Sequence, residues 1–141
     1  MYKRQTLISL SFCCFVSLFY LACNKSEDPI ITPQLNETFE LKFNGIAEIE
    51  DAKIKVTFVD VDDIRCPTDM VCFWEGTIKV DLKVEIDGTE HAIELFDEEG
   101  NPQKAQVTIE ETTIRLVSIE PSKLTLDDIP KDEYVITLII E

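Results

Sequence analysis

The chain has 141 residues, which gives room for one domain of ordinary size. Its 28 acidic residues outnumber 13 basic ones, so the formal net charge is −15 at pH 7. Nucleic acids and anionic lipid head groups are themselves negative, so this balance argues against electrostatic binding to either of them.

The N-terminus predicts a signal peptide over residues 1–22. Lys3 and Arg4 form a short basic region, and residues 7–20 then run apolar without a charge. That length fits the core of a signal peptide and is too short for a comfortable membrane span. The following Tyr20-Leu21-Ala22-Cys23 resembles the lipobox of bacterial lipoproteins, although the family prefers leucine in place of the tyrosine. The resemblance implies cleavage before Cys23 and a lipid on its thiol, and an ordinary secretory cleavage is the alternative.

The five cysteines fit this interpretation. Cys13 and Cys14 leave with the signal peptide, Cys23 takes the lipid, and Cys66 and Cys72 remain as an even pair. In an oxidising compartment we expect that pair to form a disulfide. Cleavage also removes two basic residues, leaving 11 against 28 acidic ones and a formal charge of −17. Membrane attachment must therefore come from acyl chains.

Residues 23–36 are predicted to be the lipidated cysteine and a flexible tether, because two prolines and polar residues without periodicity favour extended chain. Residues 24–28 resemble the short acidic surface-export signals that follow the lipidated cysteine in Bacteroidota. The residue after Cys23 is Asn24, whereas an aspartate at this position is associated with inner-membrane retention in enteric bacteria. These resemblances imply a lipid-anchored protein of the cell envelope, at the outer membrane, on its periplasmic or surface face.

From residue 37 onward the apolar residues recur with a period of two, which predicts strands, most clearly over residues 77–87. Asp87-Gly88 suits a tight hairpin after that strand. The apolar parity switches within residues 54–61, which predicts a bulge or a strand buried on both sides. Residues 134–140 are apolar on both parities, which predicts a central strand. The predicted strands are residues 39–43, 47–49, 54–61, 77–87, 90–96, 105–109, 114–119 and 134–140, and only residues 123–129 show a helical period.

Seven or eight short strands separated by turn signals predict a single all-β domain over residues 37–141. We expect an antiparallel sandwich with Greek-key or immunoglobulin-like connections. A small closed β-barrel is the alternative.

One segment between two predicted strands stands out by its spacing. It places Asp63, Arg65, Cys66 and Pro67 before Cys72, Trp74 and Gly76, with five residues between the cysteines. This resembles a pattern of small secreted and lipid-anchored bacterial proteins of uncharacterised role, in which the motif leads into an amphipathic strand. The resemblance implies a β-rich domain and supplies neither a substrate nor catalytic residues.

A bridge between the two cysteines closes a loop of seven residues, which stabilises the fold by about 2 kcal/mol through lost chain entropy. Arg65 is able to pair with either Asp63 or Asp69. One interpretation is a purely structural crossover with Trp74 in the core. The other is a rigid loop that presents side chains to a partner. The predicted interaction residues are Asp63, Arg65, Pro67, Asp69, Trp74 and Gly76.

Catalytic signatures are missing from the sequence. Redox pairs of the thioredoxin kind have two residues between cysteines rather than five, and a zinc site would need two ligands besides these cysteines. The single histidine, His91, has no nucleophile motif beside it. We therefore predict a non-enzymatic lipoprotein, without catalytic residues or a required cofactor, that binds an envelope or surface protein. The alternative is a small-ligand lipoprotein that binds glycan, through exposed Trp74 or Phe73, or calcium, although no acidic cluster has the spacing of a calcium loop.

Overall fold

The alternating apolar pattern becomes eight strands in a computed structural model that describes residues 30–73, 76–97 and 102–141. The predicted signal peptide, Cys23 and Trp74 lie outside these described residues. Three short 3-10 turns, Glu50–Ala52, Pro102–Ala105 and Lys131–Glu133, interrupt the strands. The strands are β1 Thr38–Lys42, β2 Ile46–Ile49, β3 Ile54–Asp63, β4 Ile78–Ile86, β5 Thr89–Asp97, β6 Gln106–Ile109, β7 Thr112–Glu120 and β8 Val135–Ile140.

The strands form two antiparallel sheets of four, one with the order β2-β3-β4-β5 and the other with the order β1-β8-β7-β6. The predicted all-β sandwich is confirmed, and the sheets do not close into the alternative barrel. Hydrogen-bonded neighbours among the described strands are successive in the chain, with the single exception of β1 beside β8. Each sheet is therefore built mainly from hairpins.

The core lies between the two sheets because every second residue of a strand points inward. In β4 the inward residues are all buried, and the alternate residues are lysine, aspartate and glutamate on the outer face. Phe58 of β3 is fully buried and meets the ring of Phe43 edge to face, with centroids 5.5 Å apart. Strand β8 lies between β1 and β7, as its apolar sequence predicted.

Local signals in the sequence also had the predicted effect. Asp87 and Gly88 have φ of 47° and 84°, the positive values that a tight hairpin of the type I′ kind requires. The register of β3 against β4 shifts between Phe58 and Asp60, which is the predicted bulge, and it leaves Val59 half exposed. The weak helical period at residues 123–129 does not become a helix, because that segment is irregular and one of its backbone carbonyls pairs with another loop.

The chain joins the domain before residue 37. Ile31 forms a parallel bridge with Ala47 of β2, donates its N–H to the Ile46 carbonyl and accepts from Glu48 N–H. Asn36 N–H donates to the Ile140 carbonyl, at 2.8 Å. The last part of the predicted tether therefore lies along the edge of the sandwich. No helix among the described residues is long and apolar enough to span a membrane.

Candidate functional site

The segment singled out by its cysteines connects β3 to β4 at one end of the sandwich. Its predicted disulfide is confirmed: the Cys66 and Cys72 sulfurs are 2.06 Å apart and the Cα atoms 6.0 Å apart. Residues 64–73 are called the stapled loop from here on. Because β3 and β4 are neighbours in one sheet, the loop begins and ends on a rigid support.

The base of the stapled loop is a largely, but not completely, buried ion pair. The Asp63 carboxylate accepts hydrogen bonds from Nε and a terminal nitrogen of Arg65, at 2.9 and 2.7 Å, and from the Arg65 backbone N–H at 3.0 Å. The Tyr134 hydroxyl, at the start of β8, donates to the same carboxylate at 2.8 Å. The side chains of Asp63 and Arg65 are only 7% and 19% exposed. Arg65 therefore pairs with Asp63 rather than with Asp69, in a bidentate and largely buried geometry.

These contacts change the acidities of all three groups. Burial by itself raises the pKa of Asp63, but the hydrogen bonds from Arg65 and Tyr134 outweigh burial and hold the pKa below the ordinary value. Burial and the Asp63 carboxylate together raise the pKa of Tyr134 to about 12. Burial lowers the pKa of Arg65, but the bond to Asp63 more than compensates and the net change is upward. At neutral pH the cluster is one ion pair and one neutral hydroxyl.

A second loop, residues 121–130 between β7 and β8, lies against the stapled loop and is called the companion loop. Arg65 donates to the Pro121 carbonyl at 2.9 Å, and Lys123 Nζ donates to the Asp63 carbonyl at 3.0 Å. The backbone N–H of Thr68 donates to the Lys123 carbonyl at 3.1 Å. Two hydrogen bonds therefore connect the two loops directly, and a third connects the companion loop to Asp63 at the end of β3.

Two further residues of the motif also belong to the base. A Cβ on Gly76 would lie 2.0 Å from the Ile64 carbonyl oxygen and 2.5 Å from the Arg65 Cα, so only glycine permits this close backbone approach. Pro67 is buried next to the disulfide. The close approach at Gly76 and the ion pair account for much of the motif as the scaffold of the loop.

The tip of the stapled loop carries exposed apolar side chains. Val71 and Phe73 are 98% and 102% exposed, and Met70 is about half exposed. Leu124 and Leu126 of the companion loop are 63% and 68% exposed. Large apolar side chains on two hydrogen-bonded loops are therefore exposed to water and available for contact with a partner.

The structure places five of the six predicted interaction residues, four in the base of the stapled loop and one at its tip. Asp63, Arg65, Pro67 and Gly76 form the base, and Asp69 is exposed at the tip, while Trp74 lies outside the described residues. The sequence analysis missed Met70, Val71 and the companion loop, and it missed Tyr134 as a partner of Asp63. No sequence signal linked Asp63 to Tyr134, because the two residues are far apart in the chain and meet only through the sheet packing.

Other chemistry at the site is limited to what the described residues show. No group of three histidine, cysteine, aspartate or glutamate side chains in the described ranges is placed to hold a metal ion. His91 lies on β5, partly buried, opposite Val84 of β4.

The fold and the site together define a small β-sandwich with a disulfide-stapled loop between two neighbouring strands. No protein-family model, curated protein or solved structure matches the chain.

Proposed function

We propose that this protein is a lipid-anchored, non-enzymatic protein of the bacterial envelope whose stapled loop binds another protein. The observation that carries the proposal is the contrast within the loop. Its base is fixed by a disulfide and a buried ion pair, while Val71 and Phe73 at its tip are almost completely exposed.

The contrast favours binding for two physical reasons. Burying a fully exposed valine or phenylalanine side chain contributes roughly 1.5–3 kcal/mol each, and the stapled loop leaves that gain available to a partner. Ordering a flexible loop opposes association, whereas a loop that is already ordered loses less entropy on binding. An apolar centre surrounded by polar residues is also the usual arrangement of a protein interface.

The anchor supports an envelope location. The lipobox-like sequence before Cys23 follows a basic and then apolar N-terminus. Since Ile31 is already bound to β2, residues 24–30 are the whole connection between the lipidated cysteine and the domain. A fully extended connection of that length spans roughly 23–25 Å, so the domain would stay close to its membrane. The outer membrane is the proposed site, and the domain faces the periplasm or the cell surface.

The anchor is tested by metabolic labelling with an alkyne-bearing fatty acid, followed by fractionation of the envelope. We expect label on the wild type and none on Cys23→Ala, which should also leave the membrane fraction. An unlabelled wild-type protein would rule out the lipoprotein assignment.

The interaction is tested by chemical crosslinking on intact cells, followed by mass spectrometry. The loop variant is Phe73→Ser, and the matched control is Val117→Ser, which removes a half-exposed apolar residue from β7. Both exposed substitutions should change stability by no more than about 0.5 kcal/mol. We expect one specific adduct in the wild type and the control that Phe73→Ser loses. Identical adducts in all three proteins would mean that the loop is not the binding site.

A second candidate is a small-ligand protein that binds glycan, favoured by the fully exposed ring of Phe73, which offers a stacking surface. Titration of the purified protein with sugars, followed through its single tryptophan, distinguishes this function. Saturable quenching that Phe73→Ser abolishes would favour glycan binding, and a flat titration would count against it. The same preparation, melted with and without calcium, tests the calcium alternative.

A further inference from the structure

We propose that the stapled loop and the companion loop form one composite binding surface, and that its partner is a protein with an apolar pocket rimmed by lysine and arginine. This inference rests on the proposed function and names the partner's chemistry. The sequence motif covers only the stapled loop, so the second half of the surface comes from the fold alone.

The first step is that the two loops form a single body. Two hydrogen bonds join them directly, from Arg65 to the Pro121 carbonyl and from the Thr68 N–H to the Lys123 carbonyl, and the Lys123 side chain also binds the Asp63 carbonyl at the base of the stapled loop. The Thr68–Lys123 bond places Leu124 at the junction, because it is the next residue in the chain. A partner that binds beside the Thr68–Lys123 contact therefore meets residues of both loops.

The second step is the apolar centre. Large apolar side chains project from both loops, and none of them belongs to the buried core. The disulfide and the ion pair support one side, and β7 and β8 hold both ends of the other side. The members of this centre are Met70, Val71, Phe73, Leu124 and Leu126.

The third step is the charge of the rim. Asp69 of the stapled loop and Asp127 and Asp128 of the companion loop are exposed, and none has a salt bridge within the described ranges. The only two cations of these loops are already engaged, Arg65 with Asp63 and Pro121, and Lys123 with the Asp63 carbonyl. The neighbouring Lys131 is paired with Asp60, so the two loops carry a net negative charge that complements a positive partner surface.

The same charge decides between a protein and a membrane. Apolar loop tips can also insert into a bilayer, but lipid phosphates would lie against the three carboxylates and repel them. A protein pocket rimmed by lysine or arginine satisfies the apolar centre and the acidic rim together. The observations therefore favour a protein, and a lipid contact becomes an outcome of the test.

The first experiment places the photocrosslinking residue p-benzoylphenylalanine singly at Phe73, Leu126 or the control position Val117 in the full-length protein, in its native cells. Each adduct is then mapped by mass spectrometry. We expect the same protein at the two loop positions and not at the control, through a peptide that has apolar residues flanked by lysine or arginine. Capture of different proteins at the two loops, of an acidic peptide, or of lipid would overturn the inference.

The second experiment measures affinity for the captured partner with a triple variant in which Asp69, Asp127 and Asp128 become asparagine. We expect binding at low salt to weaken at least tenfold and its salt dependence to flatten. Phe73→Ser should weaken binding by a similar factor and keep the salt dependence. Unchanged affinity of the triple variant would overturn the acidic-rim assignment but would leave the proposed protein-binding function standing. A complete absence of adducts at either loop would instead refute the proposed protein-binding function itself, and this inference with it.

Discussion

Asp63→Asn is the substitution that tests the base of the stapled loop most directly. The change keeps the shape of the side chain but removes its charge and replaces one acceptor oxygen by a donor. Four hydrogen bonds, three from Arg65 and one from Tyr134, converge on this carboxylate. Removing one partner of a buried ion pair costs about 3–5 kcal/mol. Because Arg65 retains some contact with water, we expect the lower end, about 3 kcal/mol, or roughly 12 °C in melting temperature for a domain of this size.

The effect of Asp63→Asn should depend on pH with a definite sign. The pKa of Asp63 in the folded protein is below its ordinary value, which is about 3.9 in an unfolded chain. A carboxyl group whose pKa is lowered by folding contributes its full stabilisation above the unfolded value and loses it as the pH falls through the folded value. The difference in unfolding free energy between wild type and variant should therefore be constant near neutral pH and shrink below about pH 4.

The assay is urea unfolding followed by circular dichroism over a series of pH values. The control is Asp60→Asn, which removes an exposed carboxylate that pairs with Lys131, and we expect it to cost less than about 1 kcal/mol. A loss below about 1 kcal/mol for Asp63→Asn at neutral pH would refute the buried ion pair as a main support of the loop. A difference that stays constant down to about pH 3 would refute the assignment of the lowered pKa.

Three further measurements test other parts of the structure. Replacing both disulfide cysteines by serine should lower the unfolding free energy by about 2 kcal/mol in urea titrations, and an unshifted midpoint would contradict the role of the staple. Gly76→Ala should destabilise by about 3 kcal/mol or prevent folding, because its Cβ would lie 2.0 Å from the Ile64 carbonyl oxygen. Gly88→Ala, at φ +84° with open space around it, should cost only about 1–2 kcal/mol, so equal melting temperatures for the two glycine variants would argue against the close approach. After removal of residues 1–22, Tyr134 is the only tyrosine, so alkaline titration of tyrosinate absorbance should give a pKa of about 12 that falls toward the ordinary value in Asp63→Asn. A wild-type titration at the ordinary value would show that the hydroxyl is not bound to the carboxylate.

The strands were predictable because their signal is local. A sheet with one buried face requires apolar residues at every second position, and β4 follows that rule along its whole length. The hairpin at Asp87-Gly88 and the bulge in β3 were also predictable from the sequence. The residue types that favour positive φ, and the change in apolar parity, each appear within a few consecutive residues. The connections between the two sheets have no such local signal in the sequence.

The site was predictable only in part, because its other half is remote in sequence. The cysteines, with Asp63 and Arg65, drew attention to the stapled loop, but the choice of partner for Arg65 depended on burial. The companion loop showed a weak helical period, yet Lys123 and Pro121 use their carbonyls to bind the stapled loop instead. Tyr134 enters the site only because β8 packs opposite β3. Such contacts follow from tertiary packing, which a periodic pattern does not encode.

The pairing of β1 with β8 has a consequence for the order in which the chain folds. Strands β2 to β5 pair only with strands that are adjacent in sequence, so their sheet is able to assemble as the chain emerges. Strand β1 pairs with a strand that lies about one hundred residues further along the chain, since Thr38 pairs with Ile139, so it cannot pair until that strand is present. Until the last residues are available, the second sheet lacks the strand that joins β1 to β7. Loss of the final six or seven residues would therefore remove β8 and leave β1 without its strand partner, and protease sensitivity should persist until the whole chain has been made.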